Sequence, residues 1–260
     1  VNPSRGLGDV YKRQDHDTLL LFSDRGVAYA LPAYRVPLSS RTAKGTPSVQ
    51  LLPIPREEQI TSLLSVESFE NDYYLLMLTK GGFIKRTPLS AFSKIRSNGL
   101  IAISLEEGDA LTWVRSSSEG DSVLIGSSKG MTIHFRLDIN ELRPLGRTAR
   151  GVKSMNLRDG DQLVSMDVLT SELVEQLSTL NEIDVDANND SEDDLSEGPW
   201  VLVASSFGLG KRVPVTQFRL QKRAGMGLKA IKFRINNDVL VGLKVLGKGE
   251  EILLVTEKGV

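Results

Sequence analysis

The chain has 260 residues, of which 40% are hydrophobic and 25% are charged, a composition typical of soluble globular proteins. It contains no cysteine, which excludes disulfides, zinc sites built on thiolates and cysteine nucleophiles. No apolar run approaches the roughly 20 residues that cross a bilayer, and no signal peptide opens the chain. We therefore expect a cytoplasmic protein without a membrane partner.

The net charge of −1 conceals an uneven distribution along the chain. Residues 171–198 contain ten acidic side chains and neither lysine nor arginine, so the other residues carry 32 basic and 23 acidic side chains, a net charge of +9. A basic body with an acidic segment indicates a surface that binds a polyanion and a segment that competes for it. A solvated charged surface without a partner is the simpler alternative.

Residues 1–14 match nothing that follows, and we interpret them as a tag, a linker or foreign sequence. From residue 17 onward, a short apolar run leads repeatedly into a tight turn that ends in glycine. The turn glycines are Gly26, Gly82, Gly130, Gly208 and Gly259, at intervals of 56, 48, 78 and 51 residues. A repeat of about 50 residues predicts a propeller or a related array of blades.

The same four strands are predicted in every repeat. A buried strand such as 18–22 enters the hairpin turn, whose glycine is free to take a positive φ, and the returning strand ends at a proline such as Pro88. A second glycine, 17 to 21 residues after the first, precedes an alternating strand such as 228–233, and a last strand closes the unit. The loop between them has a large apolar residue, which we expect to pack beneath the blade: Tyr34, Phe92, Leu142 or Phe218.

The predicted fold class is all-β, a propeller-like array of four-stranded blades over residues 15–260. Units 1 to 4 cover about 17–71, 73–121, 122–198 and 200–249, and 251–260 would be the start of a fifth. Because the sequence stops in a hairpin, we expect a fragment of a longer protein. The acidic insert 171–198 is predicted to begin with a short helix capped by Ser171 and to be disordered from 184 onward.

A basic loop precedes the second glycine of every complete unit. Basic loops 1 to 4 are residues 41–45, 94–99, 147–151 and 221–227. A radial array would bring them to one edge, where cations neutralise phosphates by releasing counterions. The predicted phosphate contacts are Arg41, Lys44, Lys94, Arg96, Arg147, Arg150, Lys222 and Arg223, widened by Lys85, Arg86, Lys211 and Arg212. The aromatic content of 6% disfavours platforms that stack single-stranded bases.

The sequence offers no catalytic constellation and no cofactor motif. Its only two histidines, His16 and His134, occupy non-equivalent positions and do not suggest a metal site. Asp109 is predicted to be a turn residue. The segment 208–212 faintly resembles a phosphate-binding loop, but it lies in a hairpin and lacks the required spacing.

Three segments resemble the C-terminal domain family of DNA gyrase A: RTAKG at 41–45, IRSNGLIAISLEEGD at 95–109 and RTARGVKSMNLRDGD at 147–161. The resemblance covers 15–260, and the related domain of topoisomerase IV is the nearest alternative. It implies a six-bladed β-pinwheel whose basic rim, here the four basic loops, wraps duplex DNA in a positive sense. It also implies partners, the rest of gyrase A and the gyrase B protein, with ATP and Mg²⁺ bound by other domains or subunits.

The sequence departs from this family in two ways. The first-blade box Gln-Arg-Arg-Gly-Gly-Lys-Gly is missing, and its nearest match is 221–227 in unit 4. The domain with the catalytic tyrosine is also missing, so we expect the fragment to be inactive alone. Gyrase, topoisomerase IV and a protein-binding propeller without a nucleic-acid role therefore stay open, and the acidic insert is expected either to restrain DNA binding or to be inert.

Overall fold

A computed structural model describes residues 17–40, 42–70, 72–175 and 199–247. Residues 1–14, most of the acidic insert and the start of the fifth unit lie outside this part of the chain, so the predictions for them are untested. Residues 171–175 are helical, and Thr170 rather than Ser171 provides the cap, because its Oγ1 accepts a hydrogen bond from the Leu173 N–H at 3.4 Å. No helix within the described ranges is long and apolar enough to cross a membrane.

The described residues form an all-β fold, as predicted. The strands are β1 (Thr18–Ser23), β2 (Val27–Pro32), β3 (Ile60–Val66), β4 (Tyr74–Thr79), β5 (Phe83–Pro88), β6 (Leu100–Ile101), β7 (Leu111–Ser117), β8 (Ser122–Ser127), β9 (Met131–Arg136), β10 (Val152–Lys153), β11 (Leu163–Leu169), β12 (Trp200–Ser205), β13 (Gly210–Pro214), β14 (Leu228–Lys229) and β15 (Leu240–Leu246). A short helix, α1 (Ser48–Leu51), follows basic loop 1. Antiparallel pairing gives four sheets: β3-β1-β2-β6, β10-β5-β4-β7, β11-β8-β9-β14 and β13-β12-β15.

The first hairpin of each unit forms where the sequence predicts it. In unit 2, β4 and β5 pair from Tyr74 opposite Pro88 to Leu78 opposite Ile84, and the turn glycine Gly82 has a φ of +90°. The prolines end β2, β5 and β13, and a 3-10 helix follows each of them: Ala33–Arg35, Leu89–Phe92 and Val215–Gln217. Proline favours this change because it cannot donate to the next ladder position.

The prediction that each unit contains its own four-stranded sheet is wrong. In the first three sheets the fourth strand comes from the next unit: β6 of unit 2 pairs with β2 of unit 1, β10 with β5, and β14 with β9. The predicted strand 228–233 is reduced to the two residues of β14. Consecutive units are therefore joined by exchanged strands as well as by packing.

The second glycine of the repeat permits this exchange. Gly151 has a φ of +100°, and a Cβ added there would lie 2.6 Å from the carbonyl oxygen of Ile84 on β5. A side chain would therefore collide with the backbone of the preceding unit. Glycine is required both for its positive φ and for this close approach.

The apolar loop residues pack between neighbouring units. Phe92 is fully buried, and its ring meets that of Phe22 in unit 1 edge-on, with centroids 6.1 Å apart. Leu142 and Phe218 are also buried, but Tyr34 is 64% exposed, against expectation. The reason is that, within the described residues, unit 1 has no preceding sheet for its loop to cover.

In units 2 and 3, an aspartate just before the last strand accepts hydrogen bonds from the turn of the first hairpin. The Asp109 N–H donates to the Glu106 carbonyl at 3.1 Å, which confirms its predicted turn role, and its Oδ1 accepts the Gly81 N–H at 2.7 Å. Asp161 accepts from Ser127 Oγ at 2.7 Å and from the Lys129 N–H at 2.9 Å. Burial would raise the pKa of Asp161, but these hydrogen bonds outweigh it and hold the pKa below its ordinary value.

Candidate nucleic-acid interface

Basic loops 2 to 4 each lie against the preceding unit, in the order of the chain. In loop 3, the carbonyl of Thr148 accepts a hydrogen bond from Ser104 Oγ of unit 2 at 2.6 Å. In loop 4, the Ala224 N–H donates to the Ser154 carbonyl of unit 3 at 2.8 Å. Loop 2 ends at Gly99, where an added Cβ would lie 2.6 Å from Val27 in unit 1. This series of contacts gives the three loops one common edge of the array.

Several predicted cations of these loops are exposed to solvent. Lys44 of loop 1, Lys94 and Arg96 of loop 2, and Lys222 of loop 4 are all exposed. The side chains of Lys94, Arg96 and Lys222 form no hydrogen bond or ion pair with any residue in the described ranges. These charges are available to an anionic ligand, whereas Arg41 lies outside the described residues.

The two arginines of loop 3 are at the surface but have partners within the protein. Arg147 is half-buried, and its Nη1 lies 3.4 Å from the carbonyl oxygen of Ile101. Arg150 forms an ion pair with Glu106, and its guanidinium lies 4.4 Å from the centre of the Phe83 ring. An exposed ion pair of this kind contributes little to stability, so Arg150 can exchange Glu106 for a phosphate at small cost.

Arg223 of loop 4 joins two units as well as adding charge. Its Nε donates to the Glu141 carbonyl at 3.2 Å and its Nη1 to the Lys153 carbonyl at 2.7 Å. Substitution of Arg223 would therefore disturb the joint between units 3 and 4 together with the surface charge. The neighbouring Lys222, which is exposed, is the cleaner probe of electrostatics in this loop.

The prediction that Lys85 and Arg86 contact DNA is wrong, because both side chains are completely buried on β5. Lys85 Nζ donates to the carbonyls of Gly146 and Arg147 at 3.0 and 2.6 Å. Arg86 Nη1 donates to the Leu137 carbonyl at 2.9 Å and forms an ion pair with Glu119 at 2.7 Å. Unit 3 covers this strand, so the two cations bind its backbone from within.

Lys211 and Arg212 occupy the same positions on β13 but are exposed. Their sheet has three strands within the described residues, so no exchanged strand covers this edge. Arg212 stacks on Trp200 at 5.3 Å, as Arg86 stacks on Tyr74 at 4.6 Å. The same dipeptide thus has two environments, and a DNA contact by Lys211 and Arg212 stays a prediction.

Burial, reinforced by the charge of Arg147, lowers the pKa of Lys85 from 10.5 to about 8. Between these two values the unfolded chain holds a proton that the folded chain has lost, so the free energy of unfolding must rise with pH. Relative to a Lys85→Met variant, the unmodified chain should gain about 3 kcal/mol between pH 8 and pH 10.5. Urea unfolding of both proteins at several pH values checks this; identical pH dependence would contradict the buried, low-pKa lysine.

Two further rim cations were missed by the sequence interpretation. Lys153 on β10 and Lys229 on β14 are exposed, and each stands two residues after the second glycine of its unit. The basic loops were identified because their cations occupy the same position in successive units, and the same criterion would have identified this pair. They lie on the exchanged strands and extend the basic edge beyond the loops.

The buried histidine of unit 3 is structural. His134 stands at the position of Arg86, and its Nδ1 lies 2.6 Å from the Phe218 carbonyl of the next unit, while Nε2 lies 2.8 Å from Ser122 Oγ. Burial is the main cause that lowers its pKa. Within the described residues there is no group of three or more histidine, aspartate or glutamate side chains that could hold a metal ion.

Comparison with known proteins gives consistent matches. Residues 17–67, 73–118, 121–170 and 199–246 match the family described as DNA gyrase C-terminal domain, beta-propeller. The DNA gyrase A protein of Synechocystis sp. (strain ATCC 27184 / PCC 6803 / Kazusa) is 56% identical, over 95% of this chain and 29% of its own length. The chloroplastic/mitochondrial DNA gyrase A protein of Arabidopsis thaliana is 40% identical, over 97% of this chain and 26% of its own length.

Solved structures share the fold. The crystal structure of the C-terminal domain of DNA topoisomerase IV superposes with a TM-score of 0.75 and 26% identity, covering 95% of this chain and 68% of that one. A structure of the DNA gyrase A C-terminal domain has a TM-score of 0.51 at 19% identity, covering 94% and 90% of the two chains. Each matched range overlaps one of units 1 to 4, and in unit 3 the match ends at residue 170; the chain belongs to the C-terminal domain family of DNA gyrase A.

Proposed function

We propose that this chain binds duplex DNA along its basic loops and wraps it around the edge of the array. The chain would act as part of a gyrase A protein, together with the rest of that protein and gyrase B, to support ATP-dependent negative supercoiling. The chain spans under a third of the relatives it matches, so ATP and Mg²⁺ would act elsewhere in the whole enzyme.

The observation that carries this proposal is the contact series of loops 2 to 4 along one edge, with Lys94, Arg96 and Lys222 exposed on it. Phosphates follow the duplex at regular spacing, so a row of cations can neutralise them without reading any base. A curved row also bends the duplex. Bending 20–30 base pairs by 40–90° costs roughly 1–6 kcal/mol, which the added phosphate contacts offset.

Two alternatives make different predictions. An equivalent domain of topoisomerase IV would share this fold, but the relatives at 56% and 40% identity are gyrase A proteins, which favours gyrase. A protein-binding propeller would use the same exposed surfaces for a polypeptide. Only the DNA-wrapping proposal requires binding to every duplex sequence with a steep dependence on salt.

Titration of the chain with two unrelated duplexes at several salt concentrations tests the proposal. We expect equal affinities for both duplexes and a linear fall of log K with log salt, with a slope of about −0.9 for every phosphate contacted. Affinity that does not change with salt, or tight binding to only one of the duplexes, would contradict the proposal.

The cytoplasmic location and the role of the acidic insert remain predictions. Bacterial relatives accompany plant ones that are described as chloroplastic/mitochondrial, so the family occurs in more than one compartment. If the insert competes with phosphates, its deletion should raise DNA affinity mainly at low salt, where charges are least screened.

A further inference from the structure

We propose that Lys85 is a positioning residue for DNA binding: from the interior of unit 2, it holds the backbone of basic loop 3 where that loop begins. The inference rests on the proposed function, because a positioned loop matters only if the loop binds DNA. No part of the basic-loop pattern indicates this role, since Lys85 lies on a strand about 60 residues earlier in the chain.

The geometry at the start of loop 3 carries the inference. One buried ammonium group binds two successive carbonyls, Gly146 at 3.0 Å and Arg147 at 2.6 Å, which fixes the direction of the backbone at Arg147. Just before them, the Leu145 N–H donates to the carbonyl of Arg86 at 2.8 Å. The loop therefore leaves β5 in a defined orientation.

The other end of loop 3 is held by the same strand. Gly151 approaches the Ile84 carbonyl so closely that an added Cβ would be 2.6 Å from it, and Val152 pairs with Ile84. Because both ends of loop 3 are held on β5, the conformation of the short segment that carries Arg147 and Arg150 depends on Lys85. Below its pKa of about 8, Lys85 is mainly an ammonium, and hydrogen bonds from charged donors are stronger than neutral ones, so it is a firm anchor in that pH range.

Loop 4 shows that a basic loop can be held without a buried lysine from the preceding unit. At the position of Lys85, unit 3 has Ile133, which is buried and whose side chain has no hydrogen-bond donor. Loop 4 is held instead by its own Arg223, which binds carbonyls of Glu141 and Lys153. In loop 3 the buried lysine performs this structural task, and within the described residues the Arg147 side chain makes a single hydrogen bond, at 3.4 Å.

Electrostatics couple Lys85 to whatever binds Arg147. Burial is the main cause of the low pKa of Lys85, and the guanidinium of Arg147 is the charge that adds to it; Met77, opposite Lys85 on β4, and Gly151, just before β10, are uncharged. A phosphate that neutralises Arg147 relieves this repulsion and raises the pKa of Lys85. DNA binding near pH 8 should therefore be accompanied by proton uptake.

A double-mutant cycle on the full 260-residue chain tests the proposal. The proteins are the unmodified chain, Lys85→Met, Arg147→Ala/Arg150→Ala and the combined triple variant, titrated with a duplex oligonucleotide at 0.1 M salt. We expect Lys85→Met to lower affinity about fivefold in the unmodified background and less than about twofold when both arginines are absent. Equal losses in both backgrounds would mean that Lys85 acts only on general stability and would overturn the inference.

Proton uptake provides a readout that does not depend on a stable Lys85 variant. Calorimetric titrations of the same duplex at pH 8, in two buffers with different ionisation enthalpies, should show net proton uptake by the unmodified chain. The uptake should be lost in Arg147→Ala/Arg150→Ala, whereas equal uptake in both proteins would overturn the inference. An unmodified chain that binds no duplex at all would instead overturn the proposed function, and the inference with it.

Discussion

Replacing Lys94, Arg96, Arg150 and Lys222 together by alanine is expected to lower duplex affinity by a factor of about 4 × 10³ at 0.1 M salt. Each lost phosphate contact makes the slope of log K against log salt shallower by about 0.9. Over the tenfold range from 1 M to 0.1 M salt, one contact therefore changes the affinity by a factor of roughly eight. All four side chains are exposed on basic loops 2 to 4. The fold should survive, because the one ion pair lost among the described residues, from Arg150 to Glu106, is exposed.

A matched control removes the same charge from another part of the molecule. Arg25, Lys80, Lys129 and Arg158 are equally exposed, but they lie in or beside the hairpin turns instead of the basic loops. Replacing these four by alanine should lower affinity less than about tenfold, since only the general field of the protein changes. Similar losses in both quadruple variants would show that overall charge, and not the row of loops, determines binding.

Gly151→Ala is expected to lower the free energy of unfolding by about 3–5 kcal/mol, because backbone strain and steric overlap add up at this position. A left-handed backbone costs a non-glycine residue about 1–2 kcal/mol. In addition, the new Cβ would lie 2.6 Å from the Ile84 carbonyl, so β10 must move away from β5. Loop 3 would move with it, and DNA affinity should fall alongside stability.

Gly45→Ala is the control for this substitution, because Gly45 holds the same position in unit 1. Its φ is +71°, but an added Cβ would meet nothing within 4 Å. The expected loss is about 1–2 kcal/mol, from backbone strain alone. Urea unfolding of both variants measures the difference, and equal losses would show that the close approach to β5 contributes nothing.

The hairpins of the repeat were predictable because their signals are local. An apolar run, a turn with glycine and a proline such as Pro88 together specify two antiparallel strands, and the structure has them at the predicted places. Strand exchange was not predictable in this way. The pairing of Val152 with Ile84 joins residues about 70 apart, and no local pattern distinguishes it from pairing within the unit.

The candidate site shows the same limit. Lys85-Arg86 and Lys211-Arg212 are identical dipeptides at matched positions, yet the first pair is buried and the second is exposed. Burial here depends on whether a following unit supplies a covering strand, which is a property of the array. The exposed cations Lys94 and Arg96 were predictable, because a loop between a helical turn and a glycine has nothing to bury them.

The most direct test of the central claim is a change in DNA linking number. A nicked circular plasmid is sealed by ligase in the presence of increasing amounts of the chain, the protein is removed, and the topoisomers are separated. Wrapping of duplex DNA in the positive sense implied by the gyrase family predicts topoisomers whose linking numbers are higher than those of plasmid sealed without protein. The increase should be smaller for the quadruple loop variant. An unchanged distribution at protein concentrations that saturate the plasmid would contradict wrapping.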